Sequence, residues 1–167
     1  ISLSLNVSDY KCTNEGTVII SVIDTKNRLD SYLSEKYEVE IMKAIVKIQS
    51  ENKKVILMSF CKYEGDEDFI RRIIKNLKKQ NNTLPDVYNY NGHLLEALEV
   101  FSKAEYIIGT RLHAILLGLV FNKKVLPLVY SDKTINLLDD FNFINPIIDV
   151  RTDNYSISSI NMSKISK

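Results

Sequence analysis

The sequence predicts a doubly wound α/β domain, a mostly parallel sheet with helices on both faces. Three observations carry that expectation. Short apolar, β-branched runs alternate with longer stretches of helical period from residue 17 to residue 150, and such alternation makes a parallel sheet covered by its crossover helices. The runs TVIISVI (17–23), KVILMSF (54–60) and KVLPLVY (124–130) carry too few polar side chains to leave one face in water, as strands buried on both sides require. A chain of 167 residues is long enough for one such domain with a substantial core.

Each element has its own signal. ISLSLNVSDY alternates apolar and polar residues, so 1–16 reads as an edge strand or as a linker from a missing N-terminal domain. The Rossmann-like domain spans 17–150, and 151–167 is a Ser- and Asn-rich tail expected to be loosely attached. After the first strand, Tyr37, Ile41, Ala44, Ile45 and Ile48 recur at helical spacing over 35–50. The second strand is followed by a helix over 66–79, with Phe69, Ile70, Ile73, Ile74 and Leu77 on one face. Its acidic start and basic end complement the helix dipole. DVYNY (86–90) is a third strand, and 92–103 suits a short helix turning Leu94, Leu95, Leu98 and Phe101 inward. Strand 105–109, helix 111–121, strand 124–130, helix 132–141 and a short strand at 146–150 complete the order.

Bulk properties exclude several classes. With 22 basic and 21 acidic residues the net charge is +1, which gives no electrostatic basis for a nucleic-acid or anionic-membrane surface. The longest apolar run, Ala114 to Phe121, is too short for a transmembrane segment. Cys12 and Cys61 stand in no metal-ligand or CxxC spacing, which fits a reducing, cytoplasmic setting with no metal. There is no GxGxxG, P-loop or GxSxG, which argues against a standard dinucleotide, triphosphate or esterase site. The chain begins at Ile1 without a signal-peptide pattern, so it is expected to be part of a longer protein.

The sharpest chemistry lies in EYIIGTRLHAILLGLVF, residues 105–121. Ligands of doubly wound sheets sit beyond the carboxyl ends of the strands, near helix N-termini. Gly109 permits a tight exit from its strand, and Thr110 suits the N-cap, which would put Arg111 and His113 in the first helical turn. The rest of the helix is apolar all round and is expected to be buried. Two basic side chains there oppose the positive end of the helix dipole. An anion resolves the conflict, because backbone N–H groups and Arg111 would converge on a phosphate or carboxylate. A surface ion pair for Arg111 and a satisfied helix-start histidine are the simpler alternative.

The stretch IIGTRLHAILLGLVFNKKVLPLVYSDKTINLLDDF resembles the polysaccharide pyruvyl transferase family. The resemblance rests on Gly109, Thr110, Arg111, Leu112 and His113, the apolar helix, the following strand, and Tyr130 with Lys133 shortly after. It is close over residues 105–141. It implies a two-domain, GT-B-like enzyme with the site in the cleft between domains, this chain being the C-terminal half and inactive alone. It also implies pyruvyl transfer from phosphoenolpyruvate to a glycan or lipid-linked sugar precursor of a cell-surface polysaccharide, in the cytoplasm and without a cofactor. Thr110, Arg111, Leu112, His113 and Lys133 would then contact phosphoenolpyruvate, with His113 as the catalytic acid. Two rivals stand beside this reading: a GT-B-type glycosyltransferase domain binding a nucleotide-sugar, and a non-catalytic member of the family.

Other loops are weaker candidates. The family often carries an arginine at the end of the first strand, where this chain has Asp24, with Lys26 and Arg28 later, so DTKNR reads as a solvated loop. The four acids of CKYEGDED (61–68) read as helix capping at Asp66–Asp68, and Cys61 as a buried structural thiol. Tyr88, Tyr90, Asn91 and His93 can line a cleft but equally suit an ordinary strand end. Ser131 or Asp132 can cap the helix that carries Lys133.

Overall fold

Six strands, β1 (Thr17–Ser21), β2 (Lys54–Ser59), β3 (Asp86–Asn89), β4 (Ala104–Gly109), β5 (Lys124–Val129) and β6 (Ile148–Asp149), form one sheet in the computed structural model, which describes residues 10–13 and 15–167. The order is β3-β2-β1-β4-β5-β6, and every pairing is parallel. Helices α1 (Ser31–Ser50), α2 (Asp66–Lys79), α3 (Leu94–Lys103), α4 (Leu112–Val120) and α5 (Asp132–Asp140) make the crossovers. This is the doubly wound α/β architecture that the alternating pattern predicts.

Strand alternation divides the core in two. Val18, Ile20 and Val22 point to one face, where Tyr37, Ile41 and Ile45 of α1 and Phe69, Ile73 and Leu77 of α2 cover them. Ile19 points to the other, where it joins Met58, Ile107 and Val125 under Leu98 and Phe101 of α3, Ala114 and Ile115 of α4 and Leu138 of α5. The chain runs from β1 outward to β3, then returns to the other side of β1 as β4. The loops after β1 and β4 therefore diverge, which opens a crevice at their carboxyl ends.

Several elements depart from the sequence expectations. Helix α1 begins at Ser31 because Asp30 caps it, accepting the Leu33 N–H at 2.8 Å. Leu95, expected to face inward on α3, is 72% exposed, since the helix starts only at Leu94 and turns this residue outward. Helix α4 is not buried all round. Ala114, Ile115 and Gly118 face the sheet, Leu116, Leu117 and Leu119 are half-buried, and Val120 is exposed. The tail is docked rather than loose. Ile157 and Ile165 are buried, and the Ile157 N–H donates to the buried Glu40 carboxylate at 2.9 Å. Its Ser- and Asn-rich composition hides these two anchors. The expectation for 1–16 lies outside the described residues at 1–9 and 14. The rest of that segment carries no strand, and Tyr10 meets Phe121 edge-on at 5.7 Å between ring centres.

Gly118 fixes how closely α4 approaches the sheet. A Cβ there would sit 2.7 Å from Val125 Cγ2 and 3.0 Å from Ile107 Cγ1, both on stiff β-branched side chains. Gly118→Ala is therefore expected to lower stability by about 1–2 kcal/mol in urea melts, overpacking outweighing the helix-propensity gain. A stabilised variant would show that α4 sits further out.

Candidate active site

The β4–α4 corner is built differently from the sequence expectation. Thr110 is not the cap. Its N–H donates to Ser21 O at 3.0 Å, which prolongs the strand pairing by one residue, and its buried hydroxyl lies 2.7 Å from the Tyr37 hydroxyl. Burial pushes the Tyr37 phenol well above the usual range, despite the hydrogen bond with Thr110. Arg111 therefore takes the N-cap position, in extended backbone and without a side-chain cap bond, and the helix starts at Leu112.

Arg111 is 9% exposed, and its guanidinium is met by carboxylates of the chain itself. Arg111 Nε donates to Asp66 Oδ2 at 2.9 Å, Nη2 to Asp66 Oδ1 at 2.5 Å and Nη1 to Glu64 Oε2 at 2.6 Å. Asp66 is fully buried and also accepts the N–H groups of Cys61 at 3.1 Å and Phe60 at 3.3 Å. The first acid of α2 is thus a buried arginine ligand, not the capping residue its position suggested. Burial works against the Arg111 charge, but its hydrogen bonds to Asp66 and Glu64 and the charges of both carboxylates more than offset it, so the guanidinium is held ionised. The Arg111 hydrogen bond in turn holds the Glu64 carboxyl below the usual carboxylate range.

The DTKNR loop reaches the same place and is not merely solvated. Arg28 Nη2 donates to Glu64 Oε2, the oxygen that Arg111 also uses. Arg28 Nη1 donates to the Asp24 carbonyl at 2.9 Å, and the guanidinium lies over the Tyr130 ring, 5.6 Å from its centre. Asp24 pairs with Arg72 of α2 at 3.1 Å. Partial burial raises the Asp24 carboxyl, but hydrogen bonds from Arg72 and the Lys26 N–H, together with the charges of Arg72 and Lys26, outweigh it and the group sits below its ordinary value. Four strand ends thus converge: β1 through Arg28, β2 through Glu64 and Asp66, β4 through Arg111, and β5 through Tyr130. An open depression of 560 Å³, lined by Asp24, Asn27, Arg28, Tyr63, Glu64 and Gly65, lies there. A larger groove of 910 Å³ between α1 and α2 is lined by Val39, Met42 and Val46 and contains none of these groups; the chemistry favours the smaller one.

His113 stands exposed on the first turn of α4, its ring stacked on Phe60 at 6.0 Å and 25°. Phe60 also meets Tyr90 at 5.8 Å and Phe101 at 6.4 Å between ring centres. An aromatic wall therefore fixes the imidazole plane while leaving it open to solvent. Leu112 is half-buried beside it. Lys133 is exposed on the first turn of α5, with no ion pair among the described residues. Ser131 is the α5 N-cap residue without a side-chain cap bond, and Asp132 pairs with Arg151. Cys61 is half-exposed, not the buried thiol expected, because Asp66 ties down its backbone rather than its side chain. Asn91 and His93 are exposed, with Asn91 Oδ1 accepting the His93 N–H at 3.1 Å. The Tyr88 hydroxyl is buried without a hydrogen-bond partner among the described residues.

Among the described residues no group of three or more His, Cys, Asp or Glu side chains is arranged to hold a metal, and no helix is long and apolar enough to cross a membrane. Neither curated proteins nor solved structures gave a match to the chain. A family model does match, over residues 18–132, and its description is polysaccharide pyruvyl transferase. The matched span runs from β1 to the start of α5 and takes in every residue of the arginine cluster. Covering well over half of the sequence, it shows that the chain belongs to the polysaccharide pyruvyl transferase family.

Proposed function

We propose that the protein transfers the pyruvyl unit of phosphoenolpyruvate to a sugar of a cell-surface polysaccharide precursor, forming a pyruvate ketal. The observation that carries this reading is the pair of guanidiniums, Arg28 and Arg111, trained on one carboxylate oxygen at the carboxyl edge of the sheet. Each gives that oxygen one N–H, Nη2 of Arg28 and Nη1 of Arg111, and two charged donors converging on one oxygen are what a phosphate or carboxylate group needs. Phosphoenolpyruvate carries both groups. Family membership supplies the acceptor class.

In this reading Arg111 and Arg28 bind the anionic groups, and His113 acts as general acid at the adjacent vinyl carbon. Protonation of the enol CH2 makes C2 electrophilic. One sugar hydroxyl adds to C2 and loses its proton, giving a tetrahedral intermediate that still carries the phosphate. A second hydroxyl then forms the other C–O bond as the C2–O–phosphate bond breaks, and its proton leaves with inorganic phosphate. The Phe60 stack fixes the imidazole plane for that transfer. Ion pairing with buried Asp66 holds the Arg111 guanidinium in place before the donor arrives, so the arginine itself need not reorganise.

The test is phosphate release from phosphoenolpyruvate by the full-length protein with acceptor present. Arg111→Lys keeps the charge but loses the fork, and is expected to lower kcat/KM by about 10²–10³. Unchanged release would remove Arg111 from the donor site. Tighter binding of a nucleotide-sugar than of phosphoenolpyruvate would favour the glycosyltransferase reading.

A further inference from the structure

Glu64 is the one member of the arginine cluster that is both shared and open to solvent. Its side chain is 44% exposed, whereas the Asp66 side chain is fully buried. Its Oε2 accepts from Arg28 and from Arg111 together. Each arginine has a second anchor that does not depend on Glu64: Asp66 for Arg111, and the Asp24 carbonyl with the Tyr130 ring for Arg28. With Glu64 turned away, both guanidiniums keep these anchors and each has an N–H group released, that of Arg28 at the wall of the depression.

We propose that Glu64 is a tethered competitor for the donor: its carboxylate holds the place between Arg28 and Arg111 that an anionic oxygen of the donor takes on binding. This rests on the reading that the arginine pair receives phosphoenolpyruvate. The exchange asks little of the backbone. The turn Lys62–Glu64 is closed by Glu64 N–H to Cys61 O at 3.3 Å and Gly65 N–H to Lys62 O at 3.1 Å. Neither bond involves the Glu64 side chain, which leaves by rotating about its own torsions. The turn itself is pinned. Gly65 has φ +85°, and a Cβ there would lie 3.1 Å from Asp24 Cβ, so the turn packs tightly on the loop that carries Arg28 and returns the carboxylate to the same place. The charge balance points the same way. Three arginines (Arg28, Arg72, Arg111) face four carboxylates (Asp24, Glu38, Glu64, Asp66) in this hydrogen-bonded cluster. With Glu64 in place the Arg28 and Arg111 N–H groups it holds are not available to an incoming phosphate. The device lowers resting affinity for simple anions and favours a ligand with enough charged oxygens to replace the bridge.

The experiment is calorimetric titration of the wild-type chain, Glu64→Gln and Glu64→Ala with inorganic phosphate and, separately, with phosphoenolpyruvate. Removing a partly exposed double ion pair is expected to tighten phosphate binding about five- to tenfold in both variants. Phosphate binding that is unchanged, weaker or absent in both variants overturns the proposal. Arg111→Lys separates the two layers. If it loses phosphoenolpyruvate while Glu64→Gln gains nothing, the donor reading stands and the competitor fails. If Glu64→Gln gains for phosphate but not for phosphoenolpyruvate, Glu64 occupies an anion site that is not the donor's, and the donor reading fails together with the proposal that rests on it.

Discussion

Replacing Asp66 with alanine is expected to lower stability by about 3–5 kcal/mol, the cost of breaking a buried ion pair from one side. Asp66 is fully buried and accepts four hydrogen bonds, two from Arg111 and one each from the Cys61 and Phe60 N–H groups. Its loss strands the guanidinium beside the sheet and leaves two backbone donors without their partner. For a chain of this size the melting temperature should fall by roughly 10 °C or more. Asp68 is exposed two residues further along α2, and Asp68→Ala should stay within about 0.5 kcal/mol of wild type. Equal effects of the two substitutions would contradict the buried pair. Replacing both partners, as Asp66→Leu with Arg111→Met, should recover much of the lost stability, since apolar pairs often substitute for buried ionic ones. Turnover should not recover, because the fork is gone.

The second large effect concerns His113. His113→Gln is expected to lower kcat by about 10²–10⁴, the range for removing a general acid. Its exposure makes the structural cost small, within about 0.5 kcal/mol in urea melts. An imidazole that acts as the proposed general acid works in the transition state, so its loss should change binding of phosphoenolpyruvate far less than kcat. A variant that keeps kcat and loses only affinity would assign His113 to donor binding instead of proton transfer.

These two residues also mark how far the sequence could be read. The strand-helix alternation was legible because β-branched runs such as TVIIS leave no polar face, and because the α2 spacing from Phe69 to Leu77 is unambiguous. Arg111 and His113 were legible because charge at the head of an apolar helix breaks a local rule. The partners of Arg111 were not. Glu64 and Asp66 follow β2, and Arg111 follows β4, with β1 between them in the sheet. Their meeting depends on strand order and on the lean of the 61–65 loop across β1, which no local pattern encodes. The four acids of CKYEGDED were the available signal: a buried arginine needs a carboxylate, and this loop holds the densest supply. Arg28 was missed for a related reason. Its place four residues past Asp24 looks like loop surface until the side chain turns back to Glu64 and Tyr130. Thr110 was misassigned because pairing with Ser21 holds it in strand geometry one residue longer than its N-cap preference suggests. Leu95 and Val120 show that an apolar residue need not be inside, since helices of ten and nine residues cannot turn every apolar side chain to the sheet.

Arg28 and Arg111 are proposed as the donor's anion site, with Glu64 standing in for the donor. A crystal structure of the full-length protein with phosphoenolpyruvate tests it directly. The expected result is a phosphate or carboxylate oxygen within hydrogen-bond distance of both guanidiniums, Glu64 rotated into solvent, Asp66 still holding Arg111, and the vinyl carbon facing His113. Phosphoenolpyruvate bound elsewhere, with the Arg28–Glu64–Arg111 bridge intact, would contradict it.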